Sequence, residues 1–180
     1  MIPKIVHQIW LGGEIPAEFS KNREALIAMN LGWRCILWDE RAICDSMDVD
    51  LVRLASHFPA RAGVSNAVRL HALRNYGGMY FDLDFVPMKP LDTLLEYGNA
   101  AAQQKDGRVC NAFMQADREA DYGRWMIDRM YDHRGIAPYW GVELLTMACK
   151  ANDVFMVPPE LVYPYNFDDP ADKRHAHPNT

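Results

Sequence analysis

Nowhere in this 180-residue chain does an apolar run approach the roughly 18 residues that a membrane-crossing helix requires. The opening Met1-Ile2-Pro3-Lys4-Ile5-Val6-His7-Gln8-Ile9-Trp10 lacks the basic region and apolar stretch of a signal peptide, so the chain reads as soluble and cytoplasmic. Cysteine is scarce: Cys35, Cys44, Cys110 and Cys149 form no CxxC pair and no zinc-like spacing, and they read as reduced core thiols. Basic charge is outnumbered, with 19 Lys and Arg against 24 Asp and Glu and a net charge of −5. That balance disfavours a nucleic-acid partner, which needs cations concentrated against phosphates. No glycine loop with the lysine of a P-loop is present, no Ser-His-Asp arrangement can be assembled, and no repeat or long linker divides the chain.

What is present suits one α/β domain large enough to bury a core without disulfide staples. Ile5 to Leu11 reads as a buried opening strand, 16–29 as a helix with apolar spacing at Phe19, Leu26 and Met29, and Trp33 to Trp38 as a second strand. Helices are expected at Leu51 to Phe58 and Ala62 to Tyr76, the second stopped by Gly77 and presenting Val64, Val68 and Leu73 to the core. Asn66 and Arg69, three apart, share a face of it. A strand from Met79 to Val86, a short helix at Leu91 to Tyr97, strands at 100–104 and 109–115, helices at 119–133 and 141–150 and a strand at 154–157 complete the order. Residues 158–180, rich in Pro, Asp and His, read as an irregular tail.

The chemistry concentrates in Gly77-Gly78-Met79-Tyr80-Phe81-Asp82-Leu83-Asp84. Alternation along a strand puts Tyr80, Asp82 and Asp84 on one face and Phe81, Leu83 and Phe85 on the other. Two neighbouring carboxylates repel unless a cation lies between them, and their hard oxygens suit Mg2+ or Mn2+ holding a phosphate-bearing ligand. The expected ligand is therefore a nucleotide diphosphate donor.

With Ile9-Trp10, Ser65-Asn66-Ala67-Val68-Arg69-Leu70-His71-Ala72-Leu73 and this glycine-to-aspartate segment together, the chain resembles the glycosyltransferases that carry the sugar-binding DXD motif. These include initiating α-mannosyltransferases, bacterial capsule sugar transferases and, more distantly, the glucosylating clostridial toxins. The resemblance covers the first half of the chain well and the second loosely. It implies a single-domain GT-A fold over 1–180, Rossmann-like and nucleotide-binding with a mixed central sheet. It implies retaining transfer of a sugar from a UDP- or GDP-sugar to an unknown acceptor, with Mn2+ or Mg2+ as cofactor. By motif position Asp84 holds the metal, Asp82 contacts ribose or sugar and supports the metal, and Arg69 approaches the donor sugar. Trp10, beside Ile9, stacks on the base, while Ser65, Asn66 and Tyr80 face the nucleotide or sugar.

Two departures stand out. The resemblance leads one to expect aspartate where the chain has Asn66, and a terminal His- and Trp-containing segment for which His175 and His177 are the available stand-ins at the metal. Both motivate an alternative, a non-catalytic or weakened nucleotide-sugar binding module. A third reading, a transferase acting on a host protein or modified nucleic acid, is also compatible.

Overall fold

A computed structural model describes residues 1–46, 61–104, 107–132 and 141–162. In chain order the elements are β1 (Ile5–Ile9), α1 (Ala17–Met29), β2 (Arg34–Trp38), α2 (Glu40–Ser46), α3 (Arg61–Tyr76), β3 (Gly78–Phe81) and a 3-10 helix (Leu91–Tyr97). Then come β4 (Ala100–Gln103), β5 (Val109–Ala116), α4 (Asp121–Asp132), α5 (Val142–Ala151), β6 (Phe155–Val157) and α6 (Pro159–Val162). The expected helix at Leu51 to Phe58 and the pair His175 and His177 lie outside the described residues.

The six strands form one mixed sheet in the order β2-β1-β3-β5-β4-β6. β1 lies parallel to both β2 and β3, β5 runs antiparallel to β3 and β4, and β6 is parallel to β4. Each face is covered. On one, Tyr80, Met114, Ala101 and Trp38 pack with Leu70, Leu73, Met126, Ile127 and Leu145 from α3, α4 and α5. On the other, Val6, Met79, Phe81 and Phe113 pack with Leu26 of α1 and Leu91 of the 3-10 helix. The alternation of β1 and β3 explains this split, since successive residues point to opposite faces.

α3 organises the molecule. Residues 67–73 are all buried, so its second half is enclosed by protein. It ends at Gly77, which takes φ +64° and returns its N–H to Leu73 O at 2.8 Å, the left-handed cap that glycine permits. Gly78 follows at φ +105°, and a Cβ there would stand 2.4 Å from Ile5 O. Only a residue without a side chain lets β3 start this close to β1. His7 fastens the same corner. Trp38 Nε1 donates to its Nδ1 at 3.1 Å, so the proton sits on Nε2, which donates to Gly77 O at 2.9 Å. Burial holds this imidazole neutral and lowers its pKa from 6.5 to about 4.

Several expectations need correction. The strand expected to reach Val86 ends at Phe81, because residues 82–85 turn, with Phe85 N–H bonded to Asp82 O at 3.3 Å. Met29, one of the apolar positions of α1, is exposed. The buried residue at that end of α1 is Asn30, whose amide caps Leu26 O at 2.8 Å and accepts from Leu91 N–H at 2.8 Å. The cysteines are free thiols, but of the four only Cys149 is buried, which pushes its thiol up to about 12; Cys44 is exposed. The 158–180 segment, read as irregular, begins with the short helix α6.

Candidate functional site

Where β3 ends and α3 passes over it, four of the residues singled out from the sequence meet. Arg69 is 5 % exposed, and its Nη2 donates to Tyr80 Oη at 3.1 Å and to Asp82 Oδ1 at 3.2 Å. Its guanidinium carbon lies 4.3 Å from the Tyr80 ring centroid, a cation over a π face. Tyr80 in turn donates its hydroxyl to Asp82 Oδ1 at 2.5 Å. Burial, together with the Asp82 charge and against the pull of Arg69, keeps that phenol protonated well above its ordinary range. One oxygen of Asp82 is thus fixed by two donors, with the side chain still 37 % exposed. Arg69 Nη1 donates to Asn66 Oδ1 at 3.0 Å, one turn back on α3.

Asp84 sits two residues on, exposed on the turn. Desolvation by the surrounding protein and the charge of Asp82 both raise its carboxyl above the usual range. Two coupled carboxylates on a tight turn are the donor set a hard divalent cation prefers, and the buried Leu83 between them anchors that turn. Among the described residues no group of three or more His, Cys, Asp or Glu could hold a metal.

The remaining expected residues lie around this centre. Trp10, half-buried at the end of β1, is oriented by its indole N–H bonded to Gly13 O at 3.1 Å and by Phe19 at a ring-centroid distance of 5.7 Å. Ile9 is buried in the core on the α3 side, so its side chain is a packing group. Ser65 is half-buried on α3, one turn before Arg69.

Sequence reading missed Asn111. Its Nδ2 donates to Asn66 Oδ1 at 2.9 Å across 45 residues. Met114 and Ala116 of β5 face α3 and Phe113 faces away, so unbroken alternation would turn Asn111 away as well. An irregularity in the β4–β5 pairing, where Ala101 faces Met114 but Ala102 faces Cys110, slips the phase and brings Asn111 to the α3 side. A Cβ on Gly141, the N-cap of α5, would stand 3.1 Å from Asn111 Nδ2 and 3.3 Å from Asn66 Nδ2.

An open mixed α/β sheet with an acidic turn at the end of a parallel strand is the arrangement of GT-A glycosyltransferase domains, and solved structures agree. The PaToxG glycosyltransferase superposes with a TM-score of 0.62 at 17% identity, covering 83% of this chain and 69% of that one. Residues 16–101, which hold Asn66, Arg69, Tyr80, Asp82 and Asp84, match the family described as glycosyltransferase sugar-binding region containing DXD motif. An uncharacterised glycosyltransferase of Acanthamoeba polyphaga mimivirus is 32% identical over 104 residues, 54% of this chain and 41% of that protein. Inositol phosphoceramide mannosyltransferase 3 of Schizosaccharomyces pombe is 30% identical over 99 residues, 53% of this chain and 28% of that protein. The chain spans less than half the length of these curated relatives.

Proposed function

We propose that this chain binds a nucleotide diphosphate sugar and transfers the sugar, with retention of anomeric configuration, as a metal-dependent glycosyltransferase. The observation that carries the reading is the Arg69–Tyr80–Asp82 network held beside Asp84 at the end of β3. Asp84 and the open oxygen of Asp82 would hold Mn2+ or Mg2+, whose positive charge would be the Lewis-acid contribution to the site. Arg69, rigid in its bed of Tyr80, Asp82 and Asn66, orients the donor sugar, and Trp10 offers a flat ring to the base. The acceptor oxygen bonds to the anomeric carbon as the bond from that carbon to the diphosphate breaks with its electron pair. The acceptor proton passes to the departing diphosphate oxygen, so the chain needs no separate base.

The cytoplasm is the proposed location. Four free thiols suit a reducing compartment, and no helix among the described residues is long and apolar enough to cross a membrane. One observation favours a second reading: a neutral amide at position 66 weakens the ionic hold on Arg69 that aspartate would give, as in a binding module with little turnover. Calorimetric titration with UDP- and GDP-sugars in the presence of Mn2+, a mannosyl donor among them, followed by assay of released nucleoside diphosphate, separates the two. Binding with release supports the transferase, binding alone supports the module, and no binding by any donor overturns both.

A further inference from the structure

β1 lies between β2 and β3 and is parallel to both. α1 leads from β1 to β2 over one face of the sheet, whereas α3 leads into β3 over the opposite face. In an open α/β sheet such a reversal parts the loops beyond the carboxyl ends of the two strands and opens a crevice between them. Its walls are residues 10–13 after β1 and the acidic turn of residues 82–85 after β3. The register pairs His7 with Tyr80, so two residues further on Ile9 is level with Asp82.

Arg61, the first residue of α3, lies over the β1 wall. A Cβ on Gly12 would stand 2.4 Å from Arg61 Nη1, 2.5 Å from its Cζ and 2.9 Å from its Nη2, so the guanidinium rests against backbone that only glycine leaves bare. Glu40 touches the same loop, but its Oε1 accepts from Gly12 N–H at 2.7 Å. Arg61 is exposed, and among the described residues no carboxylate pairs with it and no acceptor takes its N–H groups. Arg69, by contrast, is buried and committed to Asn66, Tyr80 and Asp82. The crevice thus has carboxylates on one wall and an uncommitted planar cation on the other.

We propose that Arg61 is a phosphate-binding residue of the donor site, its fork of N–H donors taking oxygens of the nucleotide's diphosphate from the wall opposite the acidic turn. The inference rests on the nucleotide-sugar reading above. Base and ribose are neutral, so what Arg61 contributes follows the phosphate charge and weakens with added salt.

Calorimetric titration of UDP and GDP with Mn2+ present, at low and at high salt, tests it. Wild-type affinity for at least one of the two should fall as salt rises. At low salt Arg61→Gln should bind that diphosphate about tenfold more weakly and with a shallower salt dependence, and Arg61→Lys, which keeps the charge and loses the fork, should lie between. An unchanged affinity in Arg61→Gln means that the guanidinium faces solvent, and a loss that keeps the wild-type salt dependence means that it only holds the Gly12 loop. Either result overturns the proposal and leaves the glycosyltransferase reading standing. If wild type binds neither diphosphate, the donor-site reading itself fails and this inference falls with it.

Discussion

At the scale of single residues, Asp84 separates binding from folding most cleanly. Its carboxyl is raised by desolvation and by Asp82, so in the metal-free protein its ionisation opposes folding. A carboxyl whose folded pKa lies above its unfolded value of about 3.8 carries no such penalty below that value and the full penalty above the folded one. Asp84→Asn should therefore melt higher than wild type at pH 7 without metal, the gain fading as pH falls below about 4. The same variant should lose Mn2+-dependent donor binding. Melting curves across pH, with and without Mn2+, check both; a variant stabilised equally at pH 3 and pH 7 would show that its charge is not the cause. Asp82 differs, because one of its oxygens is committed to Tyr80 and Arg69, so its replacement would disturb the buried guanidinium as well as the metal.

At the scale of elements, the corner where β1, β2, α3 and β3 meet sets the position of the acidic turn. Gly78→Ala would force a side chain to within 2.4 Å of Ile5 O at φ +105°, and the clash is with backbone, so β3 must move. A loss of about 1–3 kcal/mol or more is expected, read as a drop in the denaturant midpoint together with weaker donor binding. His7 supplies the pH dependence of this corner. With its pKa lowered from 6.5 to about 4, stability is full above pH 6.5 and is lost as pH falls toward 4, by about 3 kcal/mol. His7→Leu, though weaker at pH 7, should show a flatter decline to pH 4.5 in denaturant titrations, and an identical slope in both proteins would count against the assignment. The glycines, the strand core and the Asn66–Arg69 face were legible because local rules fix them. The strand end was not: the alternation of Tyr80, Asp82 and Asp84 with Phe81, Leu83 and Phe85 continues through a turn that buries Leu83 and exposes Asp84, and period-two patterning cannot distinguish the two. Asn111 was illegible for a stronger reason, since a slip in β4–β5 pairing, invisible in the one-dimensional pattern, decides which face it joins.

At the scale of the whole molecule, the sheet brings together two carboxylates on one turn, a guanidinium bonded to one of them and a ring at the neighbouring strand end. Asn66 and Arg69 lie on α3, and Asp82, on the turn after β3, is bonded to that guanidinium, whereas Asp84, two residues on, is exposed and its carboxyl is raised by desolvation and by Asp82. Metal and nucleotide should therefore stabilise the fold cooperatively. Mn2+ alone lacks the diphosphate oxygens that complete its coordination, and nucleoside diphosphate alone meets two negative side chains. Each added singly should raise the melting temperature little. Both together, at about a hundredfold excess over the dissociation constant, should add about 2.7 kcal/mol, or roughly 5–10 °C for a chain of this size. Asp84→Asn should abolish the joint shift. Additive small shifts from Mn2+ and the diphosphate in wild type would mean that the two bind apart, and the acidic turn would then not be the place where the diphosphate is held.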